Sequence, residues 1–208
     1  MYFSARSPRG GGQEVARCRW PRVLPVTAAR EDPGVGTAMD SFTGGQWEVI
    51  DAGLEADRPR AAESVLGLLR SLAGLEAGFP VDQLTHACQT ASRAERAGAP
   101  AEVVVAALCH DVGKAVSWAN HGAISAEILR PYVADETYQV VRWHQDFQAR
   151  HYAAHLGGDP DARDRHRGAP WFALAETFAD EWDQPSFDPS YDTPGLDHFE
   201  PLVREVFG

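Results

Sequence analysis

The segment PAEVVVAALCHDVGK, residues 100–114, constrains this chain more than any other. Residues 103–109 are apolar on every side, and a helix with no polar face belongs in an interior. Proline at 100 is suited to open such a helix. Two ionisable residues, His110 and Asp111, follow directly. Ionisable groups beside a core are costly unless they are paired or bind a metal. The segment therefore predicts a buried helix that ends in a functional pair.

The surrounding pattern is helical from about residue 60 onward. Val65, Leu68, Leu69 and Leu72 recur at helix spacing, as do Leu84, Ala87, Cys88 and Ala91, with Gly98 placed to cap the second run. HGAISAEILRPYV and ADETYQVVRWHQDFQARHYAAHL read as two more helices, broken near Pro131 and at Gly157-Gly158. Phe172, Ala175, Phe178, Ala179 and Trp182 form another stripe that Pro185 stops, and DHFEPLVREVFG closes the chain with a short helix. No segment alternates as a strand would, so the expected fold is all-α: a compact helical bundle with its site in the core. The Gly-rich stretch at 10–12 lies before neither a strand nor a helix, so it is not a phosphate-binding loop.

Residues 1–38 differ from the rest. They are rich in Gly, Pro and Arg, carry six arginines against three acidic residues, and show no period. We expect them to be a disordered extension, with Met39 as the natural start and residues 39–208 as one domain. That leaves thirteen basic against twenty-seven acidic residues in the body, a balance of −14. Such a body repels a nucleic-acid backbone. A small anionic substrate remains compatible, because one local pocket can oppose the global field. Cys18, Cys88 and Cys109 are too few and too scattered for a disulfide framework. No segment has the ~20 apolar residues of a membrane span. These features suggest a cytoplasmic protein acting on a small molecule, with neither a nucleic acid nor a membrane as partner.

The chemistry-bearing residues are His86, His110, Asp111, His121, His144 and Asp183, spread over five helical segments. Singly, most are ordinary: His86 lies opposite the Leu84/Ala87/Cys88/Ala91 stripe and by pattern alone belongs at the surface. Together they are four imidazoles and two carboxylates, a set suited to Fe, Mn or Zn. Bundles build metal sites from inward residues on different helices. Six ligands exceed the needs of one open zinc site. They suit two metal ions, with Asp111 as a bridge. His151, His155, His166 and His198 have no such company and are expected at the surface or in support.

The order His86, His110-Asp111, His121, His144, Asp183, with HDVGK as its centre, resembles the HD-domain superfamily over about residues 80–190. The two extra histidines, His121 and His144, resemble its two-metal branch. That branch contains phosphohydrolases and mixed-valent di-iron oxygenases, among them myo-inositol oxygenase and enzymes that cleave organophosphonates. The segments around His86, His121, His144 and Asp183 are similar to the phosphonate-cleaving oxygenases. Lys114 is placed like the substrate-facing lysine of inositol oxygenase, and many phosphohydrolases carry it too. Where the phosphonate enzymes have a lysine one turn after the fourth histidine, this chain has Gln148, a departure that argues against a phosphonate substrate. The resemblance implies a dinuclear, iron-bearing oxygenase of a small hydroxylated substrate with dioxygen. Asp111 and Lys114 would be catalytic, with Lys114 and Gln148 binding substrate. The alternative it implies is a phosphohydrolase using Mn, Mg or Zn.

Overall fold

The computed structural model describes residues 37–208. Residues 1–36 of the tail expected at 1–38, Cys18 among them, lie outside that range. Among the described residues eight α-helices form the framework: α1 (Gly44–Asp57), α2 (Arg60–Arg70), α3 (Gln83–Arg96), α4 (Ala101–Cys109), α5 (His121–Leu129), α6 (Asp135–Tyr152), α7 (Phe172–Thr177) and α8 (Leu196–Phe207). Among the described residues there is no strand, and the fold is all-α as the periodicity predicts. No helix among these residues is long and apolar enough to cross a membrane.

The α4 helix is the central post. All of Val103–Cys109 is buried, and the helix packs against α3, α5, α6 and α8. Burying each of its Val and Leu side chains is worth about 1.5–3 kcal/mol. Glu102, on its first turn, accepts from Ala134 N at 3.0 Å and from Thr137 Oγ1 at 3.0 Å. One carboxylate thus satisfies an orphan backbone N–H at the start of α6 and a buried hydroxyl on its first turn. The α3 helix starts at the Asp82 N-cap, whose Oδ1 accepts from Thr85 N at 2.8 Å. It ends at Gly98, whose φ of +76° closes the turn as Ala99 N bonds back to Ala94 O.

Two elements depart from the periodicity. First, α1 precedes the expected start of helical structure. It buries none of its residues and rests on a capping box in which Thr43 and Gln46 exchange bonds. Second, the α7 stripe does not continue as α-helix. From Phe178 to Asp183 the chain widens into a π-helical turn, closed by Gln184 N bonding Ala179 O at 3.0 Å. The wider turn brings Phe178, Ala179, Trp182 and Asp183 all to the interior. π-turns are often found at functional sites.

Candidate metal centre

Five elements converge on one buried point. His86 comes from α3, His110 and Asp111 from the end of α4, His121 from the first turn of α5, His144 from mid-α6 and Asp183 from the π-turn. All six are buried, His86, His110 and Asp183 completely. His86 is therefore not the surface residue that its place opposite the apolar stripe suggests. The opposite face of α3 is buried as well, against the polar cluster and the segment that follows Asp183.

The imidazoles are oriented by their outer nitrogens. His110 Nδ1 donates to Ala107 O at 2.8 Å, His121 Nδ1 to Trp118 O at 2.8 Å and His144 Nδ1 to Val141 O at 2.7 Å. His86 Nδ1 donates to Ser186 O at 2.8 Å. A carbonyl can only accept, so each Nδ1 carries the hydrogen. Each neutral ring then presents the Nε2 lone pair inward. Those lone pairs face one another: His86 Nε2 is 3.2 Å from His110 Nε2, and His121 Nε2 is 3.3 Å from His144 Nε2.

The carboxylates face the same point. Asp183 Oδ1 lies 3.2 Å from His86 Nε2 and 3.5 Å from His110 Nε2. Asp111 looks both ways. Its Oδ2 is 3.4 Å from His86 Nε2 and 3.3 Å from His110 Nε2. Its Oδ1 is 3.0 Å from His121 Nε2 and 3.5 Å from His144 Nε2. Asp111 Oδ1 and Asp183 Oδ2 are buried without a hydrogen-bond donor.

Converging lone pairs and orphaned carboxylate oxygens repel unless a proton or a metal ion lies among them. Burial alone would lower the His110 pKa, but the Asp111 and Asp183 carboxylates outweigh it and push the ring up to about 10. Burial raises the pKa of Asp111, yet the positive charge on His110 outweighs it and holds the carboxyl well below the usual carboxylate range. For His144 burial prevails and keeps the ring neutral. The donor set fits a metal. Three overlapping groups, His86/His110/Asp111, His110/His144/Asp183 and Asp111/His121/His144, each have ligand atoms within 4.8 Å of one another. A mixed imidazole–carboxylate set suits a first-row transition metal.

The surrounding shell is built from several elements. Gln148, one turn after His144, donates from Nε2 to Asp183 Oδ1 at 3.2 Å. Lys114 Nζ donates to Asp111 Oδ2 at 2.5 Å and to Gln83 Oε1 at 2.7 Å. Phe187 stacks on the His86 ring at 4.1 Å, and Phe79 stacks on Phe187 at 4.7 Å. The irregular run after Asp183 is tied to α3 by Arg93, which donates to Ser186 Oγ and Pro185 O, and by Gln89, which exchanges bonds with Asp188. Sequence reasoning passed over Gln83 and Phe187. Gln83 had a signal, since it lies three residues before His86 on the same helix face. Phe187 had none, because only the tertiary path of residues 184–190 brings it to His86.

The other histidines lie apart from the centre. His151 pairs with Asp180 at 2.8 Å, His166 with Asp146 at 2.7 Å and His198 with Glu95 at 2.9 Å, and His155 is exposed. Cys88 and Cys109 are buried, and burial pushes both thiols up to about 12.

No curated protein sequence matches the chain. Residues 84–181 match the HD domain family, a span that contains five of the six clustered residues, all but Asp183. With the vicinal His110-Asp111 pair at its heart and helices around it, the stretch 84–181 of this chain is an HD domain.

Proposed function

We propose that this protein is a metal-dependent oxygenase of a small hydroxylated substrate, with two metal positions that share Asp111. One observation carries the dinuclear reading: the two oxygens of Asp111 face different histidine pairs, Oδ2 toward His86 and His110, Oδ1 toward His121 and His144. His86, His110, Asp111 and Asp183 would hold one ion. His121, His144 and Asp111 would hold the other. Iron bound there would supply dioxygen activation beside the substrate.

The chain's own residues have definable tasks in this reading. Four Nδ1–H bonds to carbonyls hold the imidazoles in the tautomer that metal ligation needs. Gln148 steadies Asp183 and, from the turn after His144, orients the substrate's polar groups. Lys114 brings a positive charge to within 2.5 Å of Asp111 Oδ2, where it can meet a substrate oxygen. The Phe79–Phe187–His86 stack covers one flank of the centre and excludes water there. Neutral carboxamides around a single lysine favour a small substrate of modest charge over a nucleotide.

Lys114 also supports a second reading. An ammonium beside a metal-facing carboxylate suits neutralisation of phosphoryl oxygens, as a phosphohydrolase requires. Oxygen uptake separates the two. Protein purified anaerobically should hold about two irons per chain, with a mixed-valent signal after partial oxidation. It should consume oxygen with a member of a panel of polyols, hydroxy acids and hydroxyphosphonates. Phosphoester turnover with Mn or Mg and no oxygen would overturn the oxygenase reading.

A further inference from the structure

Gln83 is wholly buried on the first turn of α3. Its orientation is fixed chemically. An ammonium has donors only, so the atom 2.7 Å from Lys114 Nζ must be the carboxamide oxygen. The Gln83 Nε2 group is then left buried, with no acceptor among the described residues. An unmade buried hydrogen bond of this kind is a standing cost to the fold. It persists next to Lys114, whose side chain is 9% exposed and whose Nζ lies 5.0 Å from the exposed Trp118 ring. Two of the three Lys114 N–H groups are taken by Gln83 Oε1 and Asp111 Oδ2.

What this corner offers a ligand is mainly donors. One ammonium N–H and the two carboxamide N–H groups are unspent, against the one remaining lone pair of Gln83 Oε1. A hydroxyl oxygen takes at most two of those donors, whereas an anionic oxygen can take all three and gains from charge assistance. We infer that Gln83 is a specificity-determining residue: its free N–H groups, beside the Lys114 ammonium, receive an anionic oxygen of the substrate, a carboxylate or a phosphoryl group. This rests on the metal-centre reading above and narrows it, from a hydroxylated substrate to one that also carries an anion at the Lys114 end.

Zinc-loaded protein, which is diamagnetic, provides the test. Inorganic phosphate and glycolate serve as anionic probes and ethylene glycol as the neutral control. Affinities are measured by calorimetry, and the Gln83 side-chain N–H₂ signals are followed by ¹⁵N NMR. At least one anion should bind and shift those signals, with ethylene glycol leaving them in place. Whichever anion does so identifies the group received. Gln83→Leu should weaken that anion about 10-fold or more. Gln83→Glu should weaken it further, by replacing donors with a like charge. Zinc content should be unchanged in both. Gln83 signals that ignore both anions in zinc-loaded wild-type protein would overturn the inference and leave the metal reading standing. Equal anion affinity in wild type and Gln83→Leu would overturn it too. Wild-type protein unable to hold zinc would instead refute the reading on which it rests.

Discussion

Replacing Asp111 by Asn is the most demanding test of the centre, because it keeps the side-chain shape while removing the charge and one of the two ligating oxygens. The two ligand groups should respond unequally. Without the carboxylate, the group facing Asp111 Oδ1 is reduced to His121 and His144, two neutral rings whose Nε2 atoms are 3.3 Å apart. The other group keeps a carboxylate, since Asp183 Oδ1 is 3.2 Å from His86 Nε2 and 3.5 Å from His110 Nε2. At an effective dielectric of ~20, unit charges ~4 Å apart interact by about 4 kcal/mol. That is roughly a thousandfold in Kd, and a divalent ion loses no less. Metal content at fixed free metal, measured by elemental analysis after dialysis, should fall from two ions per chain to one. Asp183→Asn should leave the His121/His144/Asp111 position filled and deplete the other. Two ions still bound in Asp111→Asn would refute the shared-carboxylate reasoning. Loss of both would refute the claim that the groups bind separately.

Two further outcomes follow from backbone geometry and capping. A Cβ on Gly113 would lie 2.4 Å from His121 O and 2.9 Å from His121 Cα, so Gly113→Ala must push the start of α5 away. It should cost about 1–3 kcal/mol and lower the melting temperature by about 2–4 °C per kcal/mol, while weakening the metal position that uses His121; an unchanged melt and metal content would remove the close approach from the account. Asp82 caps α3, and although burial pushes its pKa up, backbone bonds from Gly74 and Thr85 outweigh this and lower it below the ordinary value of 3.8. A depressed folded pKa means stabilisation that is present above the unfolded value and lost as pH falls through the folded one. Asp82→Ala should therefore cost about 1 kcal/mol at neutral pH and progressively less as the pH falls through and below 3.8, read from denaturant midpoints across pH; a cost independent of pH would show that the charge does not matter.

Most of the framework was legible because burial is periodic in it. α4 announced itself by lacking any polar face, and α2, α3 and α6 by their apolar stripes. α1 was missed for the opposite reason. It buries nothing, so no stripe marks it, and its one local sign is the Thr43–Gln46 capping box. The π-turn was unreadable because its residues fit an α-helical stripe nearly as well. Only the closed bond from Gln184 to Ala179, across five residues, distinguishes the two. Polar burial was the general blind spot. Gln83, His86, Gln89, Thr90 and Ser92 on α3 are all buried, and a pattern that equates polar with exposed turns that face outward.

How far each histidine could be read depends on what holds it. His110, His121 and His144 each donate from Nδ1 to the carbonyl three residues back. For these three, local backbone geometry both fixes the tautomer and aims Nε2. For His110 the bond also satisfies one of the carbonyls that α4 leaves open at its C-terminal end. A histidine in such a place arrives as a ligand once the helices pack. His86 is different. Its anchor is Ser186 O, a hundred residues away, and its ring is stacked on Phe187 from the same distant segment. The path of that segment is set by the π-turn that also delivers Asp183, and by Arg93 and Gln89, which tie it down. His86 and Asp183, 3.2 Å apart, are thus oriented by one long-range contact between α3 and residues 183–188. The half of the centre built from α4, α5 and α6 is written locally. The half that completes the His86 side exists only in the folded chain.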